Sequence, residues 1–548
     1  MATKIVGNHN HCGRGCARVW DNGFMTAVHP TPQVTDQLDD LRADLRAANY
    51  TVDGTSALLG PLANAALHRE QALPALRALE GRTEPAALLM RLFMLGKTLT
   101  AAELSTAFPT LGIAGALAAN LVREAGSGRG ADGGYEAITE IRPHGFADEQ
   151  GQVDWWLASD LGEVATGGAL GADHVLGAGG ASLTLAQITS REPVGRVLDL
   201  GTGCGIQALH ASRHAQHIVG TDISVRALEY ARFNAALGGV EFDLREGSML
   251  EPVAGEKFDL VVSNPPFVIT PTSHEGDVLP QYEYRDGGRS GDDLVHDLIV
   301  NIGSVLAPGG RAQMLGNWEI RGDADWTERV NSWLDEAEAA HGPLDAWIVQ
   351  RELLDPAQYA ETWIRDGGTT QDRDPAAYEA TYGAWLDDFA SRNVSGIGFG
   401  MIVLRKPPAG QPRTLRRLEE ITGTVQQPLG PVFARAFAAH DWQTGLSDEA
   451  LWNERLRVAP DVTDERYFTP GNDDPNVIII RQGGGFGRAI QSGTVLAGLV
   501  GACDGELRVG QIVSAIASLF EVDTAELAAE VLPDVRGLIT DGLLEQAN

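Results

Sequence analysis

From Arg196 onward, short apolar runs alternate with longer stretches in which apolar residues recur at helical spacing. "RVLDLG", "HIVGTDI", "VEFDLREG", "FDLVVSNPP", "RAQMLGNW" and the later "GIGFGMIVLRK" read as strands. Between them, "GIQALHASRHA", "SVRALEYARFNAALGG" and "DDLVHDLIVNIGSVLAPGG" read as helices, with Ser224 as the N-cap of the second. Strand and helix in regular succession predict an α/β fold: a doubly wound, mostly parallel, seven-stranded Rossmann-like sheet with helices on both faces.

The flanks follow other patterns. Val34, Leu38, Leu41 and Leu45 begin a helical region, and "EPAALLMRLFMLGKTLTAAELSTAFPTLGIAGALAANLVREAG" reads as three short helices followed by a β-like "GGYEAITEIRPHGF". That is the outline of a winged helix. Few Lys or Arg lie on its would-be recognition helix, which favours docking over DNA reading. The Gly/Ala-rich residues 165–186 read as an ordered loop leading into a helix. Four divisions are expected: a disordered tail (1–30), a helical winged-helix-like domain (31–164), the sheet domain (165–410) and an α+β, winged-helix-like domain (411–548). An insertion at about 319–394 should cap the sheet with helices and a strand, leaving an exposed loop near 366–375.

Composition narrows the classes. At 548 residues, 43% apolar and 21% charged, the chain is an ordinary multidomain globular protein. Its formal charge of −32 repels phosphate backbones on average, so a nucleic-acid partner requires a local basic patch. Four scattered cysteines make no disulfide framework. With no membrane-length apolar run and no signal-like start, a cytoplasmic protein that does not engage membranes is expected. His9, His11, Cys12 and Cys16 are zinc-compatible types, but no second ligand pair accompanies them, so no metal site is expected.

The candidate chemistry sits at the ends of the predicted strands. "DLGTGCG" places Asp199, Gly201, Thr202, Gly203 and Gly205 at a strand-to-helix turn where the backbone can approach a ligand. Ile206 stands where a dinucleotide fingerprint has its third glycine, which points away from a pyrophosphate. "GTDIS" ends the next strand with Asp222 and Ile223, and an acid there can accept both hydroxyls of a ribose. An adenosine-bearing ligand fits both features. The fourth strand then stops on Asn264-Pro265-Pro266-Phe267.

In this order the three motifs resemble those of class I S-adenosylmethionine-dependent methyltransferases, over about Gly171 to Lys406. "SNPPF" is most similar to the branch with the methyltransferase small domain, which holds ribosomal guanine-N2, tRNA or DNA adenine-N6 and protein glutamine N-methyltransferases. The resemblance implies S-adenosylmethionine as cofactor, held by the turn and by Asp222. It also implies that Ser182 lies in a loop folding over the cofactor. Ser248 and Met249 stand where relatives often carry an acid against the adenine. Tyr282, Tyr284 and Arg285 stand where relatives keep substrate-facing residues, a mobile lid being the alternative.

Asn264 and Pro265 would each accept an N–H from a planar acceptor nitrogen, and Phe267 would stack on it or pack in the core. Proline lacks an N–H, so its carbonyl can face the site while two rings stiffen the loop. The expected function is N-methylation of a macromolecule: foremost a base in RNA or DNA, alternatively a glutamine of a basic protein. A small-molecule N-methyltransferase and a non-catalytic cofactor-binding docking protein are the other readings. The flanking domains leave a homodimer open.

Overall fold

A computed structural model describes residues 30–126, 134–168, 170–271 and 285–547. The fold below is that of Thr31–Asn548, which holds together as one unit. Its central sheet has eight strands: β1 (Val194–Leu200), β2 (Ala215–Asp222), β3 (Asp243–Glu246), β4 (Phe258–Ser263), β5 (Leu306–Arg321), β6 (Asp345–Leu354), β7 (Val394–Arg405) and β8 (Arg416–Glu420). They lie in the order 3-2-1-4-5-7-6-8. The strands are parallel except β7, which runs antiparallel to both β5 and β6. The apolar β1 and β4 run buried at the centre, with Leu198 opposite Val219 on one side and Val261 on the other. Strand order reverses at β1, so a crevice opens beyond the carboxyl ends of β1 and β4, where open α/β sheets bind ligands.

Two expectations are corrected. The sheet has eight strands, not seven, because Arg416–Glu420 pairs in parallel with β6 although it was assigned to the C-terminal domain. This edge strand is "RRLEE", too polar for a hydrophobic pattern to reveal. The segment 319–394 is no cap on a finished sheet either, since it supplies β6, whose first six residues are all buried. Its remaining elements are helices Trp326–His341, Pro356–Asp366 and Pro375–Ser391, and the loop around 371–374 is exposed as expected. Ser224 does precede helix Val225–Gly238, but its hydroxyl makes no capping bond.

The N-terminal region contains the expected short helices, Pro85–Leu89 running into a π turn at Met90–Met94, then Ala101–Ala107 and Gly112–Ala118, followed by the hairpin Val122–Glu124 with Tyr135–Ala137. A second ribbon, Thr139–Asp148 with Gly151–Asp160, lies against helix Val225–Gly238. Asn234 locks it there: its amide oxygen accepts from the Ala158 N–H (2.7 Å), and its Nδ2 donates to the carbonyls of Ala158 and Cys204 (2.8 Å each). Leu45, Ile141 and Trp156 share one apolar core with Cys204, Tyr230 and Phe233. The C-terminal region packs helices Thr494–Gly501, Val509–Phe520 and Thr524–Thr540 around their own core beside a small three-stranded sheet. Among the described residues, no helix is long and apolar enough to cross a membrane.

Candidate active site

The turn after β1 is built around a buried carboxylate. Asp199 is 1% exposed, and its Oδ2 accepts from Thr202 Oγ1 (2.7 Å) and the Ala208 N–H (2.9 Å), tying both ends of the turn together. Burial pushes its carboxyl up to about 7, and the neighbouring Asp222 adds to the effect. Gly201, Gly203 and Gly205 all have positive φ (71°, 54° and 86°). A Cβ on Gly201 or Gly203 would meet nothing within 4 Å, whereas one on Gly205 would sit 3.2 Å from Ala231. The first two glycines therefore leave an open cradle at the crevice, and the third lets two helices approach.

Asp222 closes the other side of the cradle. One oxygen accepts from the Gly203 N–H (2.8 Å) and the other from the Ser224 N–H (2.9 Å). Each carboxylate oxygen has a second lone pair for a ligand hydroxyl. Burial raises its pKa. Next to it, Ile223 is 67% exposed, an apolar side chain left bare at the sheet's ligand-facing edge. The Gly247 N–H donates to the Asp222 carbonyl (3.0 Å), which brings Ser248 and Met249 alongside. Met249 takes a left-handed conformation (φ 51°), and both side chains are half-buried. Ser182 lies on helix Gly180–Ile188, and its carbonyl accepts from Gln207 Nε2 (2.7 Å), drawing that helix to the one that follows the glycine turn.

At the end of β4, Ser263 Oγ donates to the Leu200 carbonyl (2.8 Å), which fixes the Asn-Pro-Pro-Phe loop beside the glycine turn. Asn264 Oδ1 is sealed from solvent and, among the described residues, accepts no hydrogen bond. A buried carbonyl oxygen without a donor costs roughly 1–3 kcal/mol, so such groups call for a ligand or a functional reason. Pro265 is buried and Pro266 half-buried. Phe267 is 9% exposed and packs on Phe399 with ring centroids 5.4 Å apart, which makes it a wall of the core rather than a free stacking platform.

Arg285 departs further from expectation. It is 5% exposed, and its guanidinium donates to Asp286 (2.9 Å) and to the Trp363 carbonyl (2.8 Å), while its own carbonyl accepts from the Val268 N–H (3.2 Å). It braces the Asn-Pro-Pro-Phe loop against helix Pro356–Asp366 instead of standing free at the surface. Tyr282 and Tyr284 lie outside the described residues, as do His9, His11, Cys12 and Cys16. Among the described residues, no group of three or more His, Cys, Asp or Glu is placed to hold a metal.

One supporting residue escaped the motif reading. Tyr359 is buried, and its hydroxyl accepts from the Ile269 N–H (3.0 Å) and bonds Asn317. Burial raises its pKa. It pins the segment after Phe267 from a helix remote in sequence, which no local motif signals.

A reversed parallel sheet with a glycine turn, an acid on the neighbouring strand and Asn-Pro-Pro-Phe at the fourth is the site architecture of class I methyltransferases. Residues 177–278 match the family model described as methyltransferase small domain. Residues 47–132 and 434–546 match models described as Domain of unknown function (DUF7059) and Domain of unknown function (DUF7782). The release factor glutamine methyltransferase of Deinococcus radiodurans is 38% identical over 122 residues, 21% of this chain and 43% of that protein. The ribosomal RNA small subunit methyltransferase C of Alcanivorax borkumensis is 27% identical over 143 residues, covering 26% and 36%. A Thermus thermophilus 16S rRNA N2 G1207 methyltransferase, solved in complex with AdoMet and guanosine, aligns at 17% identity and a TM-score of 0.24, over 41% of this chain and 54% of that one. The chain thus spans less than half the length of these two curated relatives.

Proposed function

We propose that the chain is an S-adenosylmethionine-dependent N-methyltransferase acting on a planar nitrogen of a macromolecule. The observation that carries this reading is the orphaned Asn264 Oδ1 beside a cradle whose glycines face open space. The cradle fits the cofactor: Asp222 has lone pairs for ribose hydroxyls, Ile223 offers an apolar face for a base, and buried carboxylates favour a cationic ligand. When bound there, the cofactor supplies a methyl group on a cationic sulfur.

The residues of the chain supply orientation. An amide or ring-amine nitrogen is a poor nucleophile because its lone pair is delocalised. Asn264 Oδ1 accepts one of its N–H bonds, turns the lone pair toward the methyl carbon and stabilises positive charge as the new bond forms. The nitrogen becomes acidic as it is alkylated, so its proton is lost after the transfer. Asp199 holds the turn, and Arg285 and Tyr359 hold the loop, so that Asn264 is positioned before the acceptor arrives.

Between the acceptor classes, a protein side-chain amide is the better supported. A chain of charge −32 repels polyanions, and the 38%-identical relative carries glutamine methyltransferase in its name, against 27% identity for the RNA enzyme. The test is label transfer from radiolabelled S-adenosylmethionine into an extract of a strain lacking the gene, followed by parallel digestion. Label released by protease alone supports the amide. Release by nuclease alone moves the acceptor to a base, and label only in small molecules overturns the macromolecular reading.

A further inference from the structure

Phe399, the ring packed on Phe267, is also the near wall of a cavity of about 560 Å³ at the β6–β7 side of the sheet. Leu353, Met401 and Val425 give it an apolar side, Thr184, Glu352 and Gln427 a polar one, and Leu353 is 49% exposed. Its far wall is the strap from Thr422 to Gln427, which follows β8. Arg351 stands in this lining. Its guanidinium donates to two backbone carbonyls of the strap, Ile421 and Gly423 (2.7 Å for the second), and among the described residues it has no carboxylate partner. Elsewhere around this half of the sheet arginines are matched: Arg405 with Asp345 and Asp441, Arg416 with Asp335 and Glu338, Arg392 with Glu319 and Asp388. On this half of the sheet, a half-buried arginine without one is the exception among the described residues. Burial lowers the Arg351 pKa, as expected of a cation without a compensating charge.

Three features bear on what fits here. The cavity adjoins the catalytic loop through one aromatic ring, so its occupant is a neighbour of the acceptor nitrogen. Its apolar side accepts aliphatic or aromatic carbon, and Arg351, bonded so far only to carbonyls, can take an anion in hydrogen-bond reach, with Glu352 of the same lining exposed to solvent. A nucleic-acid strand would bring several further phosphates against a surface of charge −32, whereas a side-chain carboxylate brings one charge, to Arg351.

We propose, building on the methyltransferase reading above, that this cavity seats the residue flanking the methylated amide in a protein substrate, an aspartate or glutamate whose carboxylate pairs with Arg351. The strap, which belongs to the segment joining the sheet to the C-terminal region, is then part of the specificity machinery.

The experiment uses the full chain saturated with S-adenosylhomocysteine and a positional-scanning library of pentapeptides with glutamine fixed at the centre, read out by binding. Isothermal titration of S-adenosylmethionine runs in parallel. Wild type should prefer Asp or Glu over Asn or Gln at one flanking position by roughly tenfold. Arg351→Gln should abolish that preference and Arg351→Lys restore part of it, with cofactor affinity unchanged in both. Thr422→Glu, on the exposed strap, should turn the preference toward Lys or Arg. Cofactor binding with no acidic preference in wild type, or a preference that survives Arg351→Gln, overturns the pocket while leaving the methyltransferase standing. Displacement of bound peptide by a single-stranded oligonucleotide assigns the cavity to nucleic acid and overturns the proposal. Failure of wild type to bind the cofactor at all overturns both.

Discussion

The two halves of the central sheet are held in different ways. On the β1–β2 side, two carboxylates hold the turn from within: Asp199 accepts from the Thr202 hydroxyl and the Ala208 N–H, and Asp222 from the N–H groups of Gly203 and Ser224. On the β4–β7 side, the Asn-Pro-Pro-Phe loop is braced by groups from remote segments. Tyr359 and Trp363 come from one helix, and a buried ionic cluster links Asp292 with Arg329 and Glu319 with Arg321 and Arg392. On the proposed function, a cofactor meets the self-contained half and an acceptor the half assembled by the rest of the chain. Distant changes should therefore alter acceptor use before they alter cofactor binding.

The largest effect expected is that of Asn264→Ala. It should lower the methyl-transfer rate by roughly 10²–10³-fold, as for loss of a transition-state hydrogen bond, and leave cofactor affinity alone. Asp222→Ala should do the opposite, weakening S-adenosylmethionine binding by about tenfold or more in a calorimetric titration, since two charge-assisted bonds to the ribose are lost. Equal effects of the two variants on cofactor affinity would erase the distinction between the halves.

Tyr359→Phe strands the buried Ile269 N–H. It should cost about 1–3 kcal/mol in denaturant unfolding and reduce turnover several-fold while the cofactor dissociation constant stays put.

A smaller effect sharpens the picture of the cradle. The folded-state pKa of Asp199 is raised to about 7, above its unfolded value near 3.8. Between those values the folded state holds a proton that the unfolded state has lost, so this group's contribution to stability is full below about pH 4 and fades as pH rises to about 7. Relative to Asp199→Asn, cofactor-free wild type should lose melting temperature over that window and run parallel to it above. Wild type gaining melting temperature relative to Asp199→Asn as pH rises through that window would reverse the sign and refute the burial argument.

How much of this could be read from the sequence follows the same division. The glycine turn, Asp222 and the Asn-Pro-Pro-Phe loop were legible because each is a local pattern at a strand end. β8 was not, because an edge strand written "RRLEE" carries no apolar alternation. β6 was recognised as a strand but not as part of the sheet, since periodicity gives an element's type and not its partner. Arg285 illustrates the same limit: an arginine after a catalytic loop reads as substrate-facing until the helix that buries it is known. Asn234 and Tyr359 were invisible for that reason, each acting on a segment far along the chain.

The central claim is that Asn264 presents an unpaired oxygen to an acceptor nitrogen next to a bound methyl donor. Its most direct test compares wild type with Asn264→Ala for transfer of radiolabel from S-adenosylmethionine into macromolecules of an extract lacking the native gene, with cofactor affinity measured on the same preparations. Strong labelling by wild type, its collapse in the variant and equal cofactor affinities are the predicted result. Labelling by Asn264→Ala at the wild-type rate would contradict it.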